Sequence, residues 1–511
     1  MNKLDWQEAM VVNSQKKRIG YGVTKISKQS FDTRLRVRAV WGIFVVGMAL
    51  LVAKIFYLQI VERGQHELTS YANHVELKRV PSERGKLLDH RGVELGRSPA
   101  TAPVVGYVSQ VTKDELGCRD GLCYQLGSMI GRAGVEKVFE SSLRGRDGGR
   151  LVEIDSSGQE VRELGNNSPE SGQDLHLSID ARLQEVMYRE LTGRKGSAVA
   201  VDMQGRVLGL VSSPAYDPLN IANYLADKEQ LYFLNRAIGA TYPPGSVFKL
   251  ATAFAGLEEG KITAETEYED TGELKVGIYR YGNWYFDQYG KTEGKIGLNR
   301  ALARSNDIYF YKVGEEVGVD ALVKWARKMG FGEVTGIELP GERQGLVPDE
   351  LWKERKTGEK WFLGNTYHMA IGQGDLLVTP AQVARMTLSA VSGRLCKLSL
   401  LKNSPVSCSD LGIATEDLAL VREGMKGACA SGGTAYPFFN DNPYVLCKTG
   451  TAQHSGQVGE ADLPHAWITV AYPGENPEMI LTVMLEAAGE GSAEAGPVAK
   501  GIIDAWKVMG K

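Results

Sequence analysis

The distribution of apolar positions divides the chain into three regimes. From Ala39 to Val61 nearly every residue is apolar, with Lys54 and Gln59 the exceptions. As a helix this stretch measures about 34 Å, enough to cross a bilayer. The 38 residues before it are polar and basic: Lys3, Lys16, Lys17, Arg18, Lys25, Lys28, Arg34, Arg36 and Arg38 outnumber Asp5, Glu8 and Asp32. A basic flank on an uncapped apolar run predicts a membrane span rather than a buried soluble helix. No small-residue cleavage site follows, so the span reads as an uncleaved anchor. The expected arrangement is a cytoplasmic tail over 1–38, a transmembrane anchor over 39–61, and everything later outside.

Residues 62–172 change pattern. Glycine turns separate short strand-like runs such as Val75-Glu76-Leu77-Lys78 ahead of Pro81. This region carries no nucleophile beside a base and is expected to be a spacer or docking module. Residues 173–511 read as one large domain. Asp174–Asp180 alternates like a strand and leads into a helix over Ala181–Leu191. Ser197–Val211 is a hairpin, two apolar runs joined by Asp202-Met203-Gln204-Gly205-Arg206. A helical middle covers about 297–329. Val445–Cys447, Ala466–Ala471 and Met479–Glu486 are strand-like, and Gly501–Met509 closes as a helix. Strands at both ends with helices between predict one antiparallel sheet assembled from both ends of the domain and packed with helices.

Composition narrows the function classes. A net charge of −3 over 511 residues gives no electrostatic case for a nucleic-acid partner. The seven histidines are scattered, and the six cysteines show no zinc-site spacing. Outside the membrane, Cys118 and Cys123 can form a local disulfide across a turn-like insert. Cys396 with Cys408 and Cys429 with Cys447 are further candidate pairs, with buried or free thiols the alternative.

Candidate chemistry centres on Tyr242-Pro243-Pro244-Gly245-Ser246-Val247-Phe248-Lys249. The prolines and glycine force a turn, and Ser246 opens a run of apolar helix formers ending near Gly260. Ser246 and Lys249, three apart, share a helix face. A lysine amine in apolar surroundings loses solvation and can accept a serine proton. The Ser-x-x-Lys pattern recurs at Ser14–Lys17 and Ser399–Lys402, so partners must decide. One candidate partner is Ser305-Asn306-Asp307, polar residues just before the aromatic run Tyr309-Phe310-Tyr311; a helix cap is the bland alternative. Another is Lys448-Thr449-Gly450-Thr451, on a strand. There a lysine supplies positive charge, threonine hydroxyls can hold a carboxylate, and a glycine lets substrate backbone lie close. Alternation turns Cys447 away from Lys448 and makes it structural. Lys356-Thr357-Gly358 repeats the tripeptide but reads as a charged loop and is set aside.

In order and type, Ser246-x-x-Lys249, Ser305-x-Asp307 and Lys448-Thr449-Gly450 resemble the motif set of class B penicillin-binding proteins, the peptidoglycan DD-transpeptidases. Arg84-Gly85-Lys86-Leu87-Leu88-Asp89, Gly134-Val135-Glu136 through Leu143-Arg144-Gly145, Asn235-Arg236-Ala237, and Ile371-Gly372-Gln373-Gly374 with Thr379-Pro380 extend the resemblance over nearly all of the chain after residue 38. His90 stands where that family usually has arginine. Asp307 stands where asparagine is commonest, and Ser-x-Asp before aromatics resembles the elongation-type subgroup, similar to penicillin-binding protein 2.

The resemblance implies an α+β transpeptidase fold, preceded by a transmembrane helix and an elongated β-rich pedestal. It implies acyl transfer through Ser246, with Lys249 as base and Ser305, Asp307 and Lys448 completing the catalytic set. Thr449, Gly450 and Thr451 would bind substrate. No metal or cofactor is expected. Implied partners are peptidoglycan stem peptides, β-lactams and a membrane glycan polymerase of the rod-shape system, at the cytoplasmic membrane. Alternatives are a septal transpeptidase, a DD-carboxypeptidase, an anchored serine β-lactamase and a non-catalytic scaffold. Residues 62–172 leave no room for a polymerase domain.

Overall fold

The computed structural model describes residues 33–65, 74–119, 122–155, 157–405, 407–453 and 463–509. Residues 1–32 of the basic tail, Ser14–Lys17 among them, lie outside the described residues, while 33–38 already belong to a helix. The chain divides into two compact units, one holding Met1–Lys78 and Arg150–Asn166, the other Arg79–Gly149 and Asn167–Lys511.

The first unit contains helix α1, Thr33–Phe56, which continues as one π-helical turn through Val61. Its segment Arg34–Val61 is long and apolar enough to cross a membrane, and none of it is buried against protein. Ile43 on it is 74% exposed. The unit also holds most of a three-stranded sheet in chain order: β1 (Val75–Val80), β2 (Gly148–Ile154) and β3 (Glu160–Asn167). Every residue of β3 is exposed, and its ion pairs, such as Arg150 with Glu163 at 2.8 Å, lie on that surface.

In the second unit, two segments distant in sequence meet. Arg84 donates to the carboxylates of Glu136 and Glu140, both at 2.6 Å, tying Arg84–Asp89 to the Gly134–Gly145 segment. Gly134 sits at φ +59, and a Cβ there would lie 2.5 Å from the Gly106 nitrogen. Only glycine fits that crossing.

The main body follows with α2 (Ala181–Leu191), β4 (Gly196–Asp202), β5 (Val207–Ser213), α3 (Lys249–Glu258), α4 (Leu298–Arg304), α5 (Asp307–Lys328), α6 (Pro380–Ser392), α7 (Thr415–Ala428), β6 (Leu446–Ala452), β7 (His465–Tyr472), β8 (Met479–Leu485) and α8 (Gly496–Met509). The five strands form one antiparallel sheet in the order β5-β4-β8-β7-β6. The expected joining of both chain ends is realised where β4 pairs with β8, Val199 opposite Thr482.

Both sheet faces are covered, so β8 is buried at all seven positions and reads as an apolar run broken by Thr482 alone. One face, with Leu446, Trp467 and Met484, packs in the same core as Leu250, Phe254 and Leu388 of α3 and α6. The other, with Cys447, Ile468 and Leu481, packs with Leu183 and Met187 of α2 and Ile502 of α8. Thr469, Thr387 and Thr482 bond their hydroxyls to one another at 2.9 Å, so these buried hydroxyls are satisfied. Helix starts follow local chemistry. Asp180 accepts the Arg182 and Leu183 amides at the start of α2. Thr379 and Gln382 form a reciprocal cap on α6, with Pro380 in its first turn.

Three local expectations differ from the structure. Asp174–Asp180 contributes only a two-residue strand, Leu175–His176, paired in parallel with Leu87–Leu88. Asp180 turns to cap α2, which ends the extended run. The closing helix α8 begins at Gly496, earlier than Gly501. Lys356-Thr357-Gly358 is no loop: Glu350–Thr357 is a helix capped by Asp349, and Gly358 ends it at φ +73.

Candidate active site

Ser246 lies on a short 3₁₀ turn, Gly245–Phe248, and the α-helix proper starts at Lys249. The expectation that Ser246 opens an α-helix is therefore tightened. In a 3₁₀ turn residues three apart eclipse, which sets Ser246 directly in line with Lys249. The turn is tight because it is squeezed from two sides. Gly245, at φ +56, donates its amide to Gly372 O at 2.8 Å, and a Cβ on it would meet Thr451 O at 2.8 Å. A Cβ on Gly372 would come within 2.1 Å of Gly245 O. Tyr242 and Val378 exchange both backbone bonds at 2.9 Å, clamping the chain that leads into the turn. Ser246 itself is half-buried, whereas Lys249 is fully buried.

The second element breaks the helical middle at Ser305. That residue ends α4 at φ +54, a left-handed conformation uncommon for a side chain other than glycine. Asn306 then caps α5, its Oδ1 accepting the Tyr309 amide at 2.9 Å. The cap expected at this position is thus real, but Asn306 supplies it and leaves the Ser305 hydroxyl free for the site. Lys249 Nζ donates to Ser305 O at 2.7 Å and to Asp307 Oδ1 at 2.7 Å, with the Ser305 hydroxyl at 3.4 Å. The second Asp307 oxygen accepts the Trp284 amide at 3.0 Å.

The third element is the edge strand β6. Lys448 is fully buried, and its Nζ donates to the Ser305 hydroxyl at 2.8 Å and to Thr449 O at 2.9 Å. Ser305 is therefore the shared partner of both lysines, and Asp307 pairs with Lys249. The Thr449 hydroxyl donates to Thr434 Oγ1 at 2.8 Å. The Thr451 hydroxyl accepts the Gly491 amide at 3.2 Å, which leaves its proton available. A Cβ on Gly450 would crowd Pro244 O, the Trp467 Cβ and Val247 Cγ1, all at 3.1 Å.

Burial sets the electrostatics. Desolvation pulls the Lys249 amine below its ordinary value, while the Asp307 carboxylate opposes it. Lys448 is lowered well below its ordinary value, by burial first and the Lys249 charge second. Two ammonium groups on one buried serine repel, so the arrangement favours a neutral amine beside a charged one. Lys448 is lowered further, while Asp307 holds Lys249 toward its charged form, so Lys249 must shed its proton before it can take one from the half-buried Ser246 hydroxyl.

The sites expected from sequence at Ser246, Lys249, Ser305, Asp307, Lys448, Thr449, Gly450 and Thr451 thus lie on three adjoining elements. The competing patterns are built into other structure. The Ser399 hydroxyl donates to Glu338 at 2.7 Å, and exposed Lys402 donates to His90 O at 2.7 Å. Reading from sequence missed Gly372, Gln373, Thr434 and Trp284. Gln373 Nε2 donates to Thr451 O at 3.2 Å. The Gly-Gln-Gly run was visible, but nothing in it pointed to the Ser246 turn. All three candidate cysteine pairs are disulfides: Cys118–Cys123, Cys396–Cys408 and Cys429–Cys447. The last ties the end of α7 to the strand carrying Lys448.

The family model for the penicillin binding protein transpeptidase domain matches residues 196–504, and that for the penicillin-binding protein dimerisation domain matches 97–177. The chain is 33% identical over 449 residues to the peptidoglycan D,D-transpeptidase MrdA of Acinetobacter baumannii, covering 80% of this chain and 65% of that protein. It therefore spans about two thirds of that relative's length. Among solved structures it is similar to PBP2 of Helicobacter pylori in complex with MreC, with a TM-score of 0.76 at 25% identity over 85% of this chain and 99% of that one. It is also similar to a chain of a peptidoglycan synthase complex that coordinates polymerisation and cross-linking, with a TM-score of 0.75 at 27% identity over 92% of this chain and 97% of that one.

Proposed function

The chain belongs to the penicillin-binding protein transpeptidase family, and from that premise we propose that it is a peptidoglycan D,D-transpeptidase working through an acyl-enzyme on Ser246. The observation that carries this reading is the buried path Lys249–Ser305–Lys448 with Ser246 one turn from Lys249. Ser246 Oγ attacks the carbonyl carbon between the two terminal D-alanines of a stem peptide, and neutral Lys249 takes its proton. The backbone amides of Ser246 and Thr451 stabilise the oxyanion. The C–N bond breaks, and the leaving D-alanine amine gains a proton through Ser305. An amine of a neighbouring stem peptide then attacks the ester, regenerating the Ser246 hydroxyl and forming the cross-link. Lys448, Thr449 and Thr451 hold the terminal carboxylate. The substrate backbone lies along the open edge of β6; Gly450, expected to make room for it, instead lets the Ser246 turn pack close against the strand through Pro244 and Val247. Asp307 fixes Lys249.

The same family reading makes β-lactams acylating inhibitors of Ser246. We assign the chain to side-wall elongation, because Ser305-x-Asp307 matches the elongation-type subgroup and the relative above is an MrdA. A membrane glycan polymerase of the rod-shape system is the partner this reading implies, supported by the similarity to a synthase complex that couples polymerisation to cross-linking. The anchor over 39–61 would hold the catalytic unit, 173–511, outside the cytoplasmic membrane, with 62–172 as the pedestal. Three disulfides fit an oxidising compartment. The test is product analysis with a stem-peptide donor and an amine acceptor. Cross-linked product supports transfer; hydrolysed donor alone makes the chain a carboxypeptidase.

A further inference from the structure

Asp270 is a buried carboxylate, 2% exposed, at the end of a short strand, Glu267–Asp270. Among the described residues no cation pairs with it. Four donors converge on it instead. Gly272 N reaches Oδ1 at 2.9 Å. Oδ2 accepts Asn283 Nδ2 at 2.9 Å, Glu293 N at 2.9 Å and Asn306 Nδ2 at 2.8 Å. Taking an unpaired carboxylate out of water is costly, so a buried one with only neutral donors must hold several at once.

Two of those donors lead to the active site, and each has its other end committed. Asn306 Oδ1 accepts the Tyr309 amide and so sets the start of α5 directly after Ser305. Asn283 Oδ1 accepts the Asp307 amide at 3.2 Å. The next residue, Trp284, donates its amide to Asp307 Oδ2. Asp307 is thus gripped at its backbone and at its carboxylate by a segment whose position is fixed by Asp270. The left-handed φ of Ser305 needs such over-determination, since a serine does not hold that conformation unaided.

We propose that Asp270 is a positioning residue for acyl transfer: through Asn283 and Asn306 it holds Ser305 and Asp307 in register with Lys249 and Lys448. It touches neither substrate nor reacting atoms. The inference rests on the acyl-transfer reading of Ser246.

The experiment measures covalent labelling of the full chain in detergent by a fluorescent penicillin, as a rate per folded molecule across pH, together with the melting temperature. Asp270→Asn keeps the volume but places an NH₂ where an acceptor is required. Labelling should slow by about ten- to a hundredfold, the loss typical of a misplaced catalytic group. Lys249 is faced by Asp307 from α5 and Lys448 from β6; loosening Asp307 removes the group that favours the ammonium. The acid limb of the rate profile should therefore move to lower pH. Asn283→Ala cuts the same path nearer Asp307 while leaving three of the four donors on Asp270, and keeps the test valid if Asp270→Asn does not fold. As a control, Glu342→Gln alters a carboxylate that holds the Thr335 and Gly336 amides elsewhere. It should lower the melting temperature without moving the limb. Unlabelled wild-type protein would sink the acyl-enzyme reading itself. Labelled wild type, with both variants matching its rate and acid limb per folded molecule, would overturn the role of Asp270.

Discussion

The tripeptide Lys-Thr-Gly occurs twice, and the two copies do opposite things. Lys448-Thr449-Gly450 lies on an edge strand with its lysine fully buried against Ser305. Lys356-Thr357-Gly358 closes an exposed helical turn. There the threonine hydroxyl bonds back to Lys353 O at 2.8 Å and the glycine ends the helix. Even the glycines are needed for different reasons. Gly358 is required for its φ of +73 and has open space where a Cβ would go; Gly450 has atoms at 3.1 Å on three sides. Identity of residues sets what chemistry is possible. Burial and partners decide whether a lysine is a solvated charge or a proton carrier.

The contrast is open to direct attack, and the largest effect is at the nucleophile. Ser246→Ala should abolish covalent labelling by a fluorescent penicillin, while Ser399→Ala, in the rival Ser-x-x-Lys pattern, should label at the normal rate. Equal losses would remove the distinction between the two patterns. Next, Lys448→Ala should slow acylation by about 10²–10³-fold, the scale of losing one preorganised donor. Lys356→Ala should change neither rate nor stability by more than about 0.5 kcal/mol. A rate loss at Lys356 would mean that context is not what separates the copies.

The glycines give a finer test. Gly450→Ala should slow acylation about tenfold, because its new methyl group presses on the Ser246 turn through Val247 and Pro244. Gly358→Ala should instead cost about 1 kcal/mol of stability for holding alanine at positive φ, with acylation intact. Thermal unfolding and labelling, measured side by side, separate the two. The smallest expected change is in pH dependence. Acylation needs neutral Lys249, so its rate falls as pH drops through the lowered pKa of that amine. Asp307 favours the charged amine; Asp307→Asn therefore lowers the pKa further and should shift the acid limb to lower pH. A shift upward would show that Asp307 does not act on Lys249.

Much of this was legible from residues alone. Apolar patterning located the long N-terminal apolar helix, the hairpin β4–β5 and the three C-terminal strands, because run length and alternation leave few other elements those residues can form. Pro-Pro-Gly before Ser246 marked a turn for steric reasons that hold in any fold. The pairing of Cys447 away from Lys448 followed from strand alternation. The lysine copy at 356 was placed outside the site, although its helix was missed, since a charged run gives no periodic signal.

What the sequence determined by itself was the local part: which stretches bury, where turns fall, and which side chains have the chemistry for acyl transfer. Those follow from sterics, hydropathy and functional groups carried by neighbouring residues. Only the tertiary structure decided that one serine bridges two buried lysines, that Asp307 pairs with Lys249, and that Gly372 and Thr451 pinch the Ser246 turn. Ser305 and Lys448 are separated by 143 positions, and their contact depends on strand order and helix packing. The lowered pKa of each lysine is a property of the solvent excluded around it, which no short stretch of sequence contains.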